Sequence, residues 1–410
     1  MIRGVRAYAC FPTTWLFGTA LLVVFAAGCS QLPTAPNAQR TAGARSYAVL
    51  DDAAPALVMM VRPGVSPEQV AAQYGGTIVG VVSEVGIYRV ALPTGDDVIR
   101  CATSMSGDSR VAAAEVNGVA SIVESRQSSV AFSEGLRNWK DVGDQRALTR
   151  VGAPRAQTAA NGNGVLVAIL DTGISLDHAA FAGRLALPGI ELGVTVSPGA
   201  ERLQQVDSNH DGIMDGAIGH GTHVAGIVLA VAPKVRLLPV RVLDSDGVGS
   251  AFGVANGIVQ ATLRGARVIN MSLGMNGTST AVQVAIRYAR DHGAVVVAPT
   301  GNDRLGRPIF PAAMPEVVAV AGVDSLDRHA SFTNFGTGTD LAAPSTGILS
   351  TYYGGGYARW SGTSMAAPFV SGAAALLYGL LPTAGPGTPA QVENFLLAGA
   401  FNLTTADAQY

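Results

Sequence analysis

The chain has 410 residues, enough for one large domain, a small one and tails. Only 14% of its residues are charged, the formal charge is -2, and fifty residues are glycine. This is a compact, loop-rich globular composition without the basic face that a nucleic-acid partner would require. No cysteine follows Cys101, so whatever lies beyond it must be stabilised by its core, or by a metal, without disulfides.

Arg3 and Arg6 precede an apolar run at 15–27, the length of a signal-peptide core and short for a spanning helix. Residues 1–28 therefore read as an export leader. The run ends in Phe25-Ala26-Ala27-Gly28-Cys29, which resembles a bacterial lipobox. That resemblance implies that Cys29 becomes a lipidated first residue anchored in a membrane, the outer one in a two-membrane cell because no retention-type aspartate follows. Ala26 stands where the motif usually has leucine, and ordinary cleavage at an A-x-A-like site, which would release the protein, is the alternative. Residues 29–46, rich in Pro, Ala, Gln and Thr, read as a disordered tether.

Residues 47–125 form a candidate small domain. A strand is expected at 56–62. Ser66-Pro67-Glu68-Gln69 then starts a helix to about 74, with a capping serine, proline at the first helical position and glutamine at the capping-box position. Strands at 77–82 and 88–92, a helix at 96–105 with Cys101 packed inside, and a strand at 111–116 complete a βαββαβ unit. From 121 to 144 the chain turns polar and irregular. Residues 126–143 are expected to be a linker holding a processing site, and the scissile bond falls between about 121 and 139.

Residues 144–400 read as the large domain. From Val165 the segments GVLVAIL, KVRLLPVRVL, ARVINMSL, AVVVAP and EVVAVAGV alternate with helical stretches, so the fold class is α/β, a mostly parallel sheet covered by helices on both faces. Active groups in such sheets lie beyond the carboxyl ends of the strands. Asp171, Ser272 and Asn302 all fall there.

The stretch SGTSMAAP, 361–368, sets Ser364 among small residues where an apolar helix begins. The free N–H groups and positive dipole end of that helix would favour an anion beside Ser364 Oγ, and the hydroxyl needs a base to act as a nucleophile. His220-Gly221-Thr222-His223 opens another apolar helix. His220 is the candidate base, with His223 packed behind it. The two histidines could instead ligate zinc, although the acidic partner of an HExxH helix is absent. Asp171 ends a buried strand and must be paired, or it merely caps a turn. Asn302, in Thr300-Gly301-Asn302, is either a turn former or an amide aimed at an oxyanion.

Together DTG, GHGTHVAG, INMSLG, the TGN loop and SGTSMAAP resemble the subtilisin-like serine protease family over about 144–397, and Asp, His, Ser is the chain order of that family's triad. The resemblance implies that Ser364 attacks the scissile carbonyl, His220 relays the proton, and Asp171 fixes the imidazole. It implies further that Asn302 and the Ser364 N–H bind the oxyanion. Ser272-Leu273-Gly274, with Pro299 and Gly301, would pair with an extended protein substrate and line its side-chain pocket, giving broad specificity through backbone hydrogen bonds. The small domain resembles the family's propeptide, which assists folding and blocks the cleft until it is cut.

Three departures from the family stand out. The loop reads Ala298-Pro299-Thr300-Gly301 where relatives usually have an alanine pair before the glycine, and Ser345 stands where a glycine normally follows Pro344. The loop that binds a strong calcium in many relatives is missing where the His220 helix runs directly into Val231-Ala232-Pro233. In its place Asp207, Asn209, Asp211, Ile213 and Asp215 offer oxygen ligands around Gly212 as a possible calcium loop, with Ile218 at the twelfth position instead of glutamate. Calcium would hold the loop and take no part in the chemistry. Beside a zymogen endopeptidase, two other functions fit the same residues: a silent surface-binding lipoprotein on a protease fold, and a metal hydrolase built on His220 and His223.

Overall fold

The computed structural model describes residues 25–26, 56–124, 131–135, 137–191, 199–381 and 388–403. Apart from the two-residue strand Phe25–Ala26, the leader, Cys29 and the tether lie outside these. The small domain contains strands β1 (Ala56–Val61), β2 (Thr77–Val82), β3 (Ile87–Ala91) and β4 (Val111–Val116) with helices α1 (Pro67–Gln73) and α2 (Val98–Ser106). Its sheet is antiparallel in the order β2-β3-β1-β4. Ser66 caps α1 by accepting from the Gln69 N–H at 3.3 Å, and Asp97 caps α2 in the same way through Arg100. Leu57, Met59, Val70 and Met105 form its core, with Cys101 packed against them.

The segment after it is less irregular than its polarity suggests. Residues Val119–Ser121, at the end of the small domain, form a strand, β5, that pairs with strands of the large domain. Phe132–Ser133 pairs with Tyr357–Trp360, and the short helix Trp139–Gly143 carries a capping box from Asn138 and Asp141. Among the described residues of this stretch, polar side chains serve as caps and pairs, such as Glu134 with Arg359 at 2.8 Å.

The large domain is built on β6 (Leu166–Asp171), α3 (His220–Val231), β7 (Arg236–Arg241), β8 (Val248–Ser250), α4 (Ala251–Leu263), β9 (Val268–Met271), β10 (Gly274–Met275), α5 (Thr280–Asp291), β11 (Val295–Pro299), β12 (Val318–Val323), β13 (Leu341–Pro344) and α6 (Thr363–Leu380). Six of its strands pair in parallel in the order β13-β12-β11-β9-β6-β7. Alternate residues of β6 serve both faces: Val167 and Ile169 pack with α3 and α6, Ala168 and Leu170 with α4 and α5. This is the expected α/β domain preceded by a small α+β one. The chain steps from β6 to β7 on one side and then crosses back to β9, so β6 lies where the strand order reverses. A parallel sheet opens its crevice there, and the last residue of β6 is Asp171.

Helix α6 runs through the core, with every residue from Thr363 to Leu376 buried. Its one interior proline, Pro368, cannot donate to the Ser364 carbonyl four residues back. The Ser272 hydroxyl donates to that carbonyl instead, at 3.0 Å. Helices α3 and α6 meet at Gly372, where a Cβ would lie 2.6 Å from Val231 Cβ. Gly372→Ala should therefore overpack this crossing and destabilise the fold by roughly 1–3 kcal/mol. Thermal unfolding of the variant beside the parent chain checks this; an unchanged melting temperature would mean that the helices separate at no cost.

Candidate active site

Three loops deliver the expected residues to one buried point. Asp171 ends β6, His220 opens α3, and Ser364 is the second residue of α6; all three are fully buried. His220 Nδ1 donates to Asp171 Oδ1 at 2.7 Å, and the Thr172 N–H donates to the same oxygen at 2.8 Å. The close approach of α3 to β6 depends on Gly221, where a Cβ would lie 3.0 Å from Asp171 Cβ and 2.1 Å from the Gly173 carbonyl oxygen. Asn302, in the loop after β11, is fixed through Oδ1, which accepts from the Thr363 N–H at 3.0 Å and its hydroxyl at 2.9 Å. Its Nδ2 is thereby aimed into the cleft beside the Ser364 N–H. An acyl group held against Ser364 would find a hydroxyl, an imidazole backed by a carboxylate, and two convergent N–H donors.

The cleft is occupied by the chain itself. Strand β5 lies antiparallel between β8 and β10, with Ser121 opposite both Val248 and Gly274. The Ile122 N–H then donates to the Gly247 carbonyl at 2.9 Å. Val123 O accepts from Asn302 Nδ2 at 3.1 Å. The expected substrate segment thus pairs with an extended chain at Gly274. The second wall, β8, carries no polar signature and was not singled out from the sequence. Leu273 is buried in the core, and the Ser272 side chain supports α6, with its carbonyl 3.3 Å from Ser364 Oγ as an acceptor. Pro299 is paired inside the sheet with Val320. The side chain of Val123 lies against Gly274, and Ile309 fills the space between Gly274 and Gly301: a Cβ at Gly274 would meet Ile309 Cδ1 at 2.4 Å and Val123 Cγ1 at 2.8 Å, and one at Gly301 would meet Ile309 Cδ1 at 3.1 Å.

Glu124 was not anticipated, because a single glutamate in a polar stretch carries no motif. Its Oε1 accepts from Asn302 Nδ2 and the Ser364 N–H, both at 3.2 Å. Its Oε2 accepts from Ser364 Oγ at 2.7 Å and lies 3.1 Å from His220 Nε2. Burial alone would lower the basicity of His220, but the charges and hydrogen bonds of Asp171 and then Glu124 outweigh it and push the pKa up to about 10. With Glu124 in place, the imidazole is held as a cation that donates to both carboxylates.

A second carboxylate also escaped the sequence reading. Glu201 is buried behind the site, where Oε1 accepts from Thr172 Oγ1 at 2.5 Å and the Gly219 N–H at 2.8 Å, and Oε2 accepts from Thr222 Oγ1. It ties the turn that carries Asp171 to the start of the helix that carries His220. Burial pushes its pKa up to about 7, against the opposing hydrogen bonds of Thr172 and Thr222.

His223 does not join His220. Its Nε2 donates to the Ile348 and Ala358 carbonyls at 3.0 and 3.1 Å, and burial holds its pKa down to about 3. It is a packed, neutral histidine, so the two-histidine metal reading fails on geometry. The possible calcium loop also does not converge. Asp207 accepts from the N–H groups of Asp211 and Gly212, Asp211 from that of Ile213, and Asp215 from those of Gln204 and Gln205. The Asn209 amide reaches the Asp246 carbonyl at 3.4 Å. Among the described residues no three His, Cys, Asp or Glu form a group that could hold a metal. Asp207 and Asp211 serve the loop's own backbone, Asp211 as an Asx-type turn, and Asp215 holds the backbone that leads into the loop.

Comparison with known proteins agrees with this architecture. Residues 162–409 match the model of the Subtilase family, and residues 57–117 that of the Fervidolysin N-terminal prodomain. The chain is similar to thermitase of Thermoactinomyces vulgaris, 40% identical over 238 residues that cover 56% of this chain and 80% of thermitase. It is also similar to subtilisin Savinase of Lederbergia lenta, 38% identical over 242 residues, 56% of this chain and 82% of that protein.

Glu201 has a folded pKa near 7 against 4.5 for an ordinary glutamate, so between those values the folded chain keeps a proton that the unfolded chain has lost. Its contribution is therefore most favourable below pH 4.5 and falls by roughly 3 kcal/mol as pH rises through 7. Glu201→Gln should remove that dependence. In a Ser364→Ala background, the stability of the Glu201 protein relative to the Gln variant is expected to decline across this window, and a flat difference would show that Glu201 does not titrate there.

Proposed function

Because the chain belongs to the subtilase family and carries that family's kind of prodomain, we propose that it is an exported serine endopeptidase, made as a zymogen, in which Ser364 is the nucleophile. The observation that carries this reading is the chain's own strand β5, seated as a substrate would be, with the Val123 carbonyl on Asn302 Nδ2. Ser364 Oγ adds to the scissile carbonyl carbon while His220 Nε2 takes its proton. Asp171 holds the imidazole and stabilises its cationic form. Asn302 Nδ2 and the Ser364 N–H receive the charge on the carbonyl oxygen. His220 then protonates the departing amine, and water cleaves the ester in the same way. The chemistry needs no cofactor.

Strand pairing along β8 and β10 accepts many sequences, which supports broad specificity toward protein substrates. Ile309 narrows it at one position, so that small or β-branched residues such as valine are preferred immediately before the cut. Export, and a lipid anchor at Cys29, rest on the leader sequence. Labelling with a palmitate analogue that is lost in Cys29→Ala would support the anchor, and an unlabelled wild type would remove it.

A fluorophosphonate probe should label the mature protein, and Ser364→Ala should accumulate with the prodomain attached. A wild type that neither labels nor hydrolyses casein would instead be a silent binding lipoprotein. Asn302→Ala should lower kcat roughly 100- to 1000-fold, the loss already known for this kind of donor in the family. Ile309→Ala should raise kcat/KM for leucine or phenylalanine substrates relative to valine by about tenfold or more. An unchanged ratio in a peptide library would show that Ile309 does not shape the pocket.

A further inference from the structure

We propose that the peptide bond between Val123 and Glu124 is the one this protease cuts in its own precursor, and that the Glu124 side chain is a latch that keeps the bond uncut until it swings out. The proposal rests on the zymogen reading above.

The register selects the bond. Ser121 is the last residue of β5 paired on both sides, Ile122 continues to the Gly247 carbonyl, and Val123 is the next residue. Its carbonyl oxygen meets Asn302 Nδ2 at 3.1 Å, the donor that would hold the oxyanion, and its side chain enters the pocket beside Gly274. The amide nitrogen that would depart is therefore that of Glu124.

The latch is identified by what it touches. A peptide acid left after hydrolysis would place one carboxylate oxygen between Asn302 Nδ2 and the Ser364 N–H, and the other between Ser364 Oγ and His220 Nε2. The Glu124 side chain makes all four of these contacts, with distances from 2.7 to 3.2 Å. It is a tethered copy of the product's acid group, one residue beyond the carbonyl to be attacked. Its seat is built: a Cβ at Gly362 would lie 2.1 Å from Oε1, so only glycine admits the carboxylate here. Two consequences follow for the chemistry. The Ser364 hydroxyl donates to Glu124 instead of to the imidazole, and both nitrogens of His220 face carboxylates, which leaves no free lone pair to receive a proton.

As the side chain rotates away, the Nε2 proton of His220 passes to water and frees that lone pair; Ser364 Oγ then bonds to the Val123 carbonyl carbon while its own proton moves to His220 Nε2. The C–N bond then breaks as that proton moves to the Glu124 nitrogen. Water cleaves the ester, leaving a carboxylate on Val123 and a new amino terminus at Glu124. The Val123 carboxylate inherits the four contacts that the Glu124 side chain gives up, so the severed prodomain stays in the cleft as a bound product.

The test uses the full-length precursor refolded from denaturant, with Ser364→Ala as the uncut standard. Mass spectrometry of the wild type should find a prodomain ending at Val123 and an enzyme starting at Glu124; cuts confined to other bonds overturn the assignment. Hydrogen bonds to a charged group are strong enough that Glu124→Gln and Glu124→Ala should cut themselves on the order of tenfold faster. Equal or slower cutting by both variants overturns the latch. Should either variant fold poorly, the rate of fluorophosphonate labelling of uncut precursor gives a second readout. It should rise in the variant that folds, and no rise counts against the latch. If wild type labels once trypsin has removed the prodomain but its own cut lies elsewhere, only this proposal fails. If it never labels, the protease reading fails with it.

Discussion

A helix sealed in a core on every side has nowhere to dissolve its first N–H groups, and in this chain those groups are placed at the cleft. Helix α6 cannot satisfy them internally. Asn302 Oδ1 takes the Thr363 N–H, which leaves the Ser364 N–H to whatever oxygen enters the site. The positive end of the helix dipole favours that oxygen carrying negative charge. The Ser364 hydroxyl, its neighbouring amide and the orientation of Asn302 thus all depend on one buried helix terminus. The Ser272 hydroxyl, bonded to the carbonyl that Pro368 leaves free, keeps that first turn intact.

The same physics docks the prodomain at two other helix ends. The Glu115 carboxylate accepts from Ser279 Oγ and from the N–H groups of Thr280 and Ala281 at the start of α5. Asn117 Oδ1 accepts from the Phe252 N–H at the start of α4, next to a bond from the Ala251 N–H to the Gly118 carbonyl. Between these points and Ser364 runs β5, held by main-chain bonds on both sides. The prodomain therefore bridges α4, α5, β8 and β10.

Charge in the site is unbalanced while the prodomain is seated. Asp171 and Glu124 flank one imidazole, and Glu201 lies one layer behind. Glu124, Glu201 and Asp171 Oδ1 are met by hydrogen-bond donors, whereas Asp171 Oδ2 is buried with no hydrogen-bond partner among the described residues. Glu201 is held by groups on either side of the pair it supports, so Asp171 and His220 are positioned by a common anchor instead of by their separate loops.

The sequence by itself determined the fold class, the small βαββαβ domain and the residues Asp171, His220, Asn302 and Ser364. Each of these follows from local pattern: continuous apolar strands, capped helices, and polar residues beside glycines at strand ends. Local pattern misled where side chains turned back onto their own backbone. Asp207, Asp211 and Asp215 have the spacing of a calcium loop yet serve turn N–H groups, and residues 131–144 look like a loose linker yet hold a strand and a capped helix. Only the tertiary structure decided that Glu124 reaches Ser364 and His220, that Glu201 lies behind them, that β8 pairs with β5 opposite β10 and that Ile309 lies between Gly274 and Gly301. These depend on which distant segments meet, and no spacing along the chain encodes the distance between residues 124 and 364 once a sheet has brought them together.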